Sequence, residues 1–382
     1  MNVALATSLR GLRVVDASRV LAGPYAGQIL ADLGADVIKI EQPHVGDETR
    51  GWGPPYVGEL SAYFLSCNRG KRSIALDLKN TEDHDLWRKL VAKADILIEN
   101  FKGLSIKQLN VDAASLHKIN SRLIICSLSG FGRTGLFASR PGYDFVVQAM
   151  SGMMAATGPA DGSPHKFGVA IADIVTGLYA VIAILAGLRH RESTGHGLAI
   201  ELALMDCAVA TMANVGQSYV STGKLPQRQG NAHAQIVPYE LFASADGWLV
   251  LAVGNDQQWQ RFCQAVGRSD LAVDVRFLTN DARVQHRSEL IPIVSAIIKT
   301  KTTVAWEAAL DQAGVPCGPI WDLATLMSSP LAGERHYKVR ATQPDGTEVD
   351  LLGSPLVGGS GTVKAPPKLD ANRDEIIREW LG

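Results

Sequence analysis

Hydrophobic positions along the first 130 residues recur with two periods in alternation. The run LRVVDAS (12–18) is rich in β-branched residues. It is followed by VLAGPYAGQILADLGA, where a Gly-Pro turn leads into Ala26, Ile29, Leu30 and Leu33 at helical i, i+3, i+4, i+7 spacing. ADVIKIE (35–41) then reads as a second strand, giving a βαβ unit, which favours a parallel sheet. The alternation continues through KRSIALDL (strand), EDHDLWRKLVAKA (helix), DILIENF (strand), AASLHKIN (helix) and LIICSLSGFG (strand). The runs ILIEN and LIICSLS are almost wholly apolar, as strands covered on both faces should be.

From about residue 147 the pattern shifts to Ala-, Gly- and Met-rich helices that end near Thr211. TGKLPQRQGNAH is polar and turn-rich, and ELFASADGWLVLAVG reads as a hairpin turning at Ala245, Asp246 and Gly247. Helical spacing then runs through Asp311, and a terminal helix is expected in DEIIREWLG. The expected class is α/β. A large Rossmann-like domain spans 1–211, a linker 212–235, a smaller α+β domain 236–320, and a return segment, 321–382, completes the large domain.

The chain is 46% hydrophobic and 20% charged over 382 residues, enough for a sizeable core, and its net charge of -1 argues against bulk attraction to nucleic acid or an anionic membrane. Five scattered cysteines with no paired spacing argue against a disulfide framework and a structural zinc site, and suit a reducing cytoplasm. The N-terminus lacks the basic-then-apolar order of a signal peptide. The apolar stretch Val169–Leu188 has the length of a membrane span but carries Asp173 and two glycines. It is read as a helix in the core or at a subunit interface. A carboxylate in such surroundings needs a partner or a task.

Other chemistries are poorly supported. Glu41 ends the second strand where a nucleotide ribose would be bound, but the turn reads AGPYAG and lacks G-x-G-x-x-G. No H-E-x-x-H, paired metal spacing or G-x-S-x-G elbow occurs, so neither a metal site nor a serine hydrolase is expected. Lys71, Arg72, Lys79, Lys102, Arg133 and Arg140 recur around strand ends, where a phosphorylated ligand would meet an open α/β sheet, although a scatter of solvated charge gives the same spacing.

These segments taken in order resemble the family III CoA transferases, the group of formyl-CoA, carnitine-CoA and bile-acid-CoA transferases. The resemblance runs nearly end to end, through VLAGPYAGQILADLGADVIKIEQP, GDETRGWGPP, NRGKRSIALDL, ADILIENF, SLSGFGRTG, RPGYDFVVQAMSG, ADIVTGLYA and GVPCGPI. GDETRGWGPP, GNAHAQIVPY and GNDQQW look most like the succinyl-CoA:glutarate (dicarboxylate) branch. The resemblance implies an interlocked homodimer, acyl-CoA and carboxylic acid substrates and no tightly bound cofactor. It places the nucleophilic aspartate on Asp173, passing through aspartyl anhydride and aspartyl-CoA thioester intermediates. Carried over by position, the CoA contacts are Val20, Leu21 and Ala22; Leu76, Asp77, Leu78 and Lys79; Asn100, Phe101 and Lys102; and Arg140, Pro141, Gly142 and Tyr143.

Gln42 and Gln108 stand where formyl-CoA transferases carry arginines, with Lys102 and Lys107 as the nearby substitutes, and Leu21 replaces a glutamine of oxalate-handling relatives. For the distal carboxylate of a dicarboxylate acceptor the candidates are Arg50, Arg72 and His233, each equally open to a structural or surface role. One alternative is an α-methylacyl-CoA racemase-like epimerase, which needs a histidine where this chain has Tyr143. A non-catalytic CoA-binding protein is the other.

Overall fold

The computed structural model describes residues 4–103, 105–358 and 363–382. These form two compact units, 1–154 with 166–224 and 329–382, and 155–165 with 225–328.

The first unit is built on six parallel strands in the order Arg72–Ala75, Asp36–Glu41, Arg13–Ala17, Ile96–Glu99, Ile124–Ser129, Ala199–Ala203. Chain order runs outward from Arg13–Ala17 to one edge, then reverses to the other, so the switch point lies between Arg13–Ala17 and Ile96–Glu99. This is the doubly wound topology expected from the alternating hydrophobic periods. Successive residues point to opposite faces. Val14, Ile96, Ile98 and Ile124 enter one core with the helices Ala22–Asp32 and Ile171–Thr194. Val15, Leu97 and Ile125 enter another with Trp87, Leu90 and Trp380.

The sixth strand, Ala199–Ala203, is absent from the sequence reading, which carried helix through this region. It is a short edge strand in which Ile200 and Leu202 pack on the core while still partly exposed, and only Ala203 is fully buried. Residues 213–222, assigned to the linker from sequence, form a helix closed by Gly223 at φ 69°.

The apolar stretch around Asp173 forms one helix, Ile171–Thr194. It packs closely on Ala22–Asp32 because position 177 is glycine: a Cβ there would lie 2.8 Å from the Ala22 carbonyl oxygen. Its buried side includes Thr176, Ala180 and Ile184, while Leu178, Ile182 and Leu185 are exposed.

The second unit has a three-stranded antiparallel sheet, Cys317–Pro319, Trp248–Ala252 and Tyr239–Ala243. The expected hairpin is present, with Ala243 opposite Trp248. Its core gathers Trp259, Phe262, Phe277, Leu290 and Trp306. Arg283 is buried there, donating to the carbonyls of Val237 and Phe277 and pairing with Asp256 at 2.8 Å.

Candidate active site

A cavity of about 490 Å³ opens at the carboxyl ends of the strands of the first unit. Its wall is made by the turn after Arg13–Ala17 (Arg19, Val20, Ala22), the segment after Ile96–Glu99 (Asn100 to Gly103) and the loop after Ile124–Ser129 (Gly130 to Arg133). Open α/β sheets bind ligands outside the switch point, where loops diverge and leave a crevice. The lid-side wall is Ala138 to Tyr143. This segment can cross the loop only because two glycines meet: a Cβ on Gly142 would lie 2.5 Å from the Gly130 Cα.

Asp173 lines this cavity, from the first turn of Ile171–Thr194. It is 9% exposed, and the nearby Ala22 N–H favours its charged form. The helix start favours the ionised carboxylate, yet the carboxyl is pushed up to about 7: burial is the main cause and the Asp144 charge adds to it, against the Ala22 N–H. Asp144 is held in place by its own hydrogen bonds, accepting from the Ala172 N–H at 2.8 Å and from Gln148 Nε2 at 2.6 Å. Nearby, burial and Asp173 raise the Tyr63 phenol above its usual value, so it stays protonated. Its ring meets Trp52 edge-on at 5.0 Å.

Asn100, Phe101, Lys102, Arg140, Pro141, Gly142 and Tyr143 line the cavity together with Val20, Ala22 and Asp173. Asn100 joins two walls, accepting from the Arg19 N–H at 3.1 Å and donating to the Arg19 carbonyl at 3.0 Å. The Arg140 guanidinium lies 5.5 Å from the Phe131 ring centroid and 5.6 Å from that of Phe137. Lys102 lies over Tyr143.

The other sequence candidates lie off the cavity wall. Leu21 and Leu76 point into the core, and Leu78 packs there beside Phe101, while Asp77 and Lys79 sit in an exposed turn at the same end of the sheet. Arg50 is bound to Glu41 through two hydrogen bonds (2.8 and 2.6 Å), donates to the Pro367 carbonyl and covers Phe64. Arg72 sits at the amino end of its strand, opposite the cavity, clamped by Asp36, Glu375 and Glu379. Both arginines are held in ion pairs, the structural role that the sequence left open beside acceptor binding. His233 belongs to the second unit, where its ring tilts against Tyr239 and its Nδ1 accepts from the Gln235 N–H. Lys71 is buried, and Arg133 is the exception that does line the cavity, its Nη2 donating to both oxygens of Glu99.

The sequence reading missed Arg19, Glu48 and Asp144. Arg19 and Glu48 line the cavity and pair at 3.1 Å. Asp144 immediately follows the RPGY segment read as a CoA contact, so a second acid close to Asp173 was within reach.

This arrangement gives a pH prediction. A reaction that uses Asp173 as its carboxylate should show kcat/KM rising with pH through an apparent pKa near 7. Asp144→Asn removes a neighbouring negative charge, so the rise should shift to lower pH, read from the pH profile of the two enzymes. An unmoved profile would mean that burial alone sets the value.

Residues 9–373 match the family model described as CoA-transferase family III. The chain is 44% identical over 385 residues to the succinate–glutarate CoA-transferase of Agrobacterium fabrum, covering 97% of this chain and 95% of that one. It is 39% identical to the acetyl-CoA:oxalate CoA-transferase of Acetobacter aceti, covering 97% and 95%. Among solved structures, a CaiB/BaiF family protein from Brucella suis superposes with a TM-score of 0.85 at 44% identity, over 98% of this chain and 99% of that one.

Proposed function

The chain belongs to CoA-transferase family III, and from that premise we propose that it moves CoA from succinyl-CoA, or another dicarboxylyl-CoA, to a free dicarboxylate such as glutarate, with Asp173 as the nucleophile. The observation that carries this reading is a buried carboxylate at a helix start, facing a cavity edged with cations at the switch point of the sheet. The names of the relatives support a dicarboxylate acceptor.

The chemistry follows from that placement. The Asp173 carboxylate attacks the thioester carbonyl carbon, the C–S bond breaks, and CoA leaves as thiolate, forming an acyl-aspartyl anhydride. The thiolate then attacks the aspartyl carbonyl and expels the donor acid as carboxylate, leaving an aspartyl-CoA thioester. The acceptor carboxylate attacks that carbonyl and releases the thiolate, which takes the acceptor acyl group and frees Asp173. Two difficult exchanges become a series of easier ones, and no proton need be moved between carbon atoms. A poorly solvated carboxylate is the more nucleophilic, and apolar walls slow the hydrolysis of both intermediates. With Arg50 and Arg72 engaged elsewhere, Arg19, Lys102, Arg133 and Arg140 are the cavity cations offered to phosphate or carboxylate groups.

The test is a panel of succinyl-, glutaryl-, acetyl- and formyl-CoA donors against glutarate, succinate, oxalate and monocarboxylate acceptors, read by mass spectrometry. Turnover with acyl-CoA and hydroxylamine should leave a hydroxamate on Asp173. Exchange of solvent deuterium at the α-carbon without CoA transfer would instead identify an epimerase. Tyr143 at the position where such an enzyme needs a histidine opposes that outcome.

A further inference from the structure

The turn between the first strand and the first helix holds an unusual backbone. Val20 has φ 74°, and Leu21 follows at φ -131°, ψ -58°. A β-branched residue with positive φ is a genuine outlier. Such conformations are costly and persist only where the surroundings over-determine them.

Here the surroundings do so with side chains from distant segments. Lys39 Nζ donates to the Ser18 carbonyl at 3.0 Å. Asn100 takes both the N–H and the carbonyl of Arg19. The Val20 N–H points between the two oxygens of Asp47, at 3.3 Å from each. Asp47 is itself fixed by Lys39 at 2.9 Å and by the N–H and hydroxyl of Thr49 at 3.0 and 2.8 Å. The Lys39 and Asp47 side chains are wholly buried. Next along this turn is Ala22, which lines the cavity together with Val20 and Asp173 and whose N–H favours the Asp173 carboxylate.

We propose that the buried Lys39–Asp47 pair holds the Ser18–Ala22 turn in its strained form so that the Ala22 N–H stays aimed at Asp173, which makes Lys39 and Asp47 positioning residues for the transfer reaction; this rests on the reading of Asp173 as nucleophile. A backbone donor cannot be changed by exchanging its own side chain, so its aim is set by what grips the turn. Each exchange builds and discharges negative charge around the Asp173 carboxyl, and a donor fixed in advance lowers that barrier without reorganising.

The test is Asp47→Asn alone and combined with Val20→Gly. Asp47→Asn should lower kcat by about tenfold or more, on the scale of losing part of one preorganised donor, with the KM for acyl-CoA changed by about threefold or less. Glycine accepts positive φ without strain, so the double variant should recover most of the lost kcat. Val20→Gly alone should raise the thermal midpoint, a readout that survives if Asp47→Asn fails to fold.

A folded Asp47→Asn enzyme with unchanged kcat, a double variant no faster than Asp47→Asn, or a Val20→Gly midpoint that fails to rise would each overturn the proposal. Hydroxamate trapping on the wild-type enzyme separates the two readings. An unlabelled Asp173 sinks the nucleophile itself, whereas labelling with any of those three outcomes sinks only the turn.

Discussion

Asp173→Asn removes CoA transfer, by roughly 10⁴-fold or more on the scale of losing an essential nucleophile, while CoA still binds. Asparagine keeps the size of the side chain and an oxygen for the Ala22 N–H, so the cavity wall is preserved. What is lost is the carboxylate able to form an anhydride. Steady-state transfer with parallel calorimetry of CoA binding checks both halves. Retained transfer, or loss of binding in step with activity, would contradict the assignment.

The same substitution should stabilise the protein, in one pH range only. The Asp173 carboxyl is raised from 3.8 to about 7 by burial and Asp144. Below pH 4 the group is neutral folded and unfolded, and wild type and variant should differ little. As pH rises from 4 to 7 the unfolded chain releases this proton first, so ionisation favours unfolding. Above 7 the penalty is complete, at most about 4 kcal/mol for a shift of this size. Thermal midpoints at pH 4 and pH 8 should therefore be similar at the first and higher for Asp173→Asn at the second.

Lys71→Met should be the most damaging substitution in the frame of the site, costing about 3–5 kcal/mol. The Lys71 ammonium is fully satisfied by Asp16 Oδ2 at 2.8 Å, the Pro24 carbonyl at 2.7 Å and Asn68 Oδ1 at 2.8 Å. Burial pushes the Asp16 carboxyl up, but Lys71 and Lys39 together outweigh it and hold Asp16 below the ordinary carboxylate range. Methionine fills the space and leaves Asp16 with one fewer partner in a buried site. Denaturant unfolding measures the loss. Lys71→Met combined with Asp16→Asn should recover part of it, because no unpaired charge is then left behind; no recovery would mean that packing, not charge, is at fault.

The doubly wound sheet was legible because its central strands are buried on both faces and its first helices keep a clean period. Ala199–Ala203 was not, since an edge strand of five residues carries too little pattern to stand out from flanking helices. Asp173 was conspicuous as one acid in an apolar run, and the segments at the switch point could be placed once the strands were. The arginines behaved differently. Residue type announces that a guanidinium wants a carboxylate, but not which one. The partners of Arg50 and Arg72 include Glu41, Glu375 and Glu379, brought close only by the fold. Likewise, burial and the Asp144 charge reverse the effect expected of a helix start on Asp173, and neither magnitude is visible in sequence.

The clamp on Arg72 is part of a longer seam with consequences for synthesis. The edge strand Arg72–Ala75 is bound along its open side by the last residues of the chain. Asn372 bonds to both the N–H and the carbonyl of Ser73, Asp370 accepts from the Ala75 N–H, and Arg373 donates to the Ala75 carbonyl. Until those residues leave the ribosome, a nascent sheet displays an unpaired edge, the kind of surface that recruits other strands. Termination after the sheet has formed but before residue 370 would thus release a fold with one sticky border, and chaperone demand during translation should persist until residues 370–373 emerge.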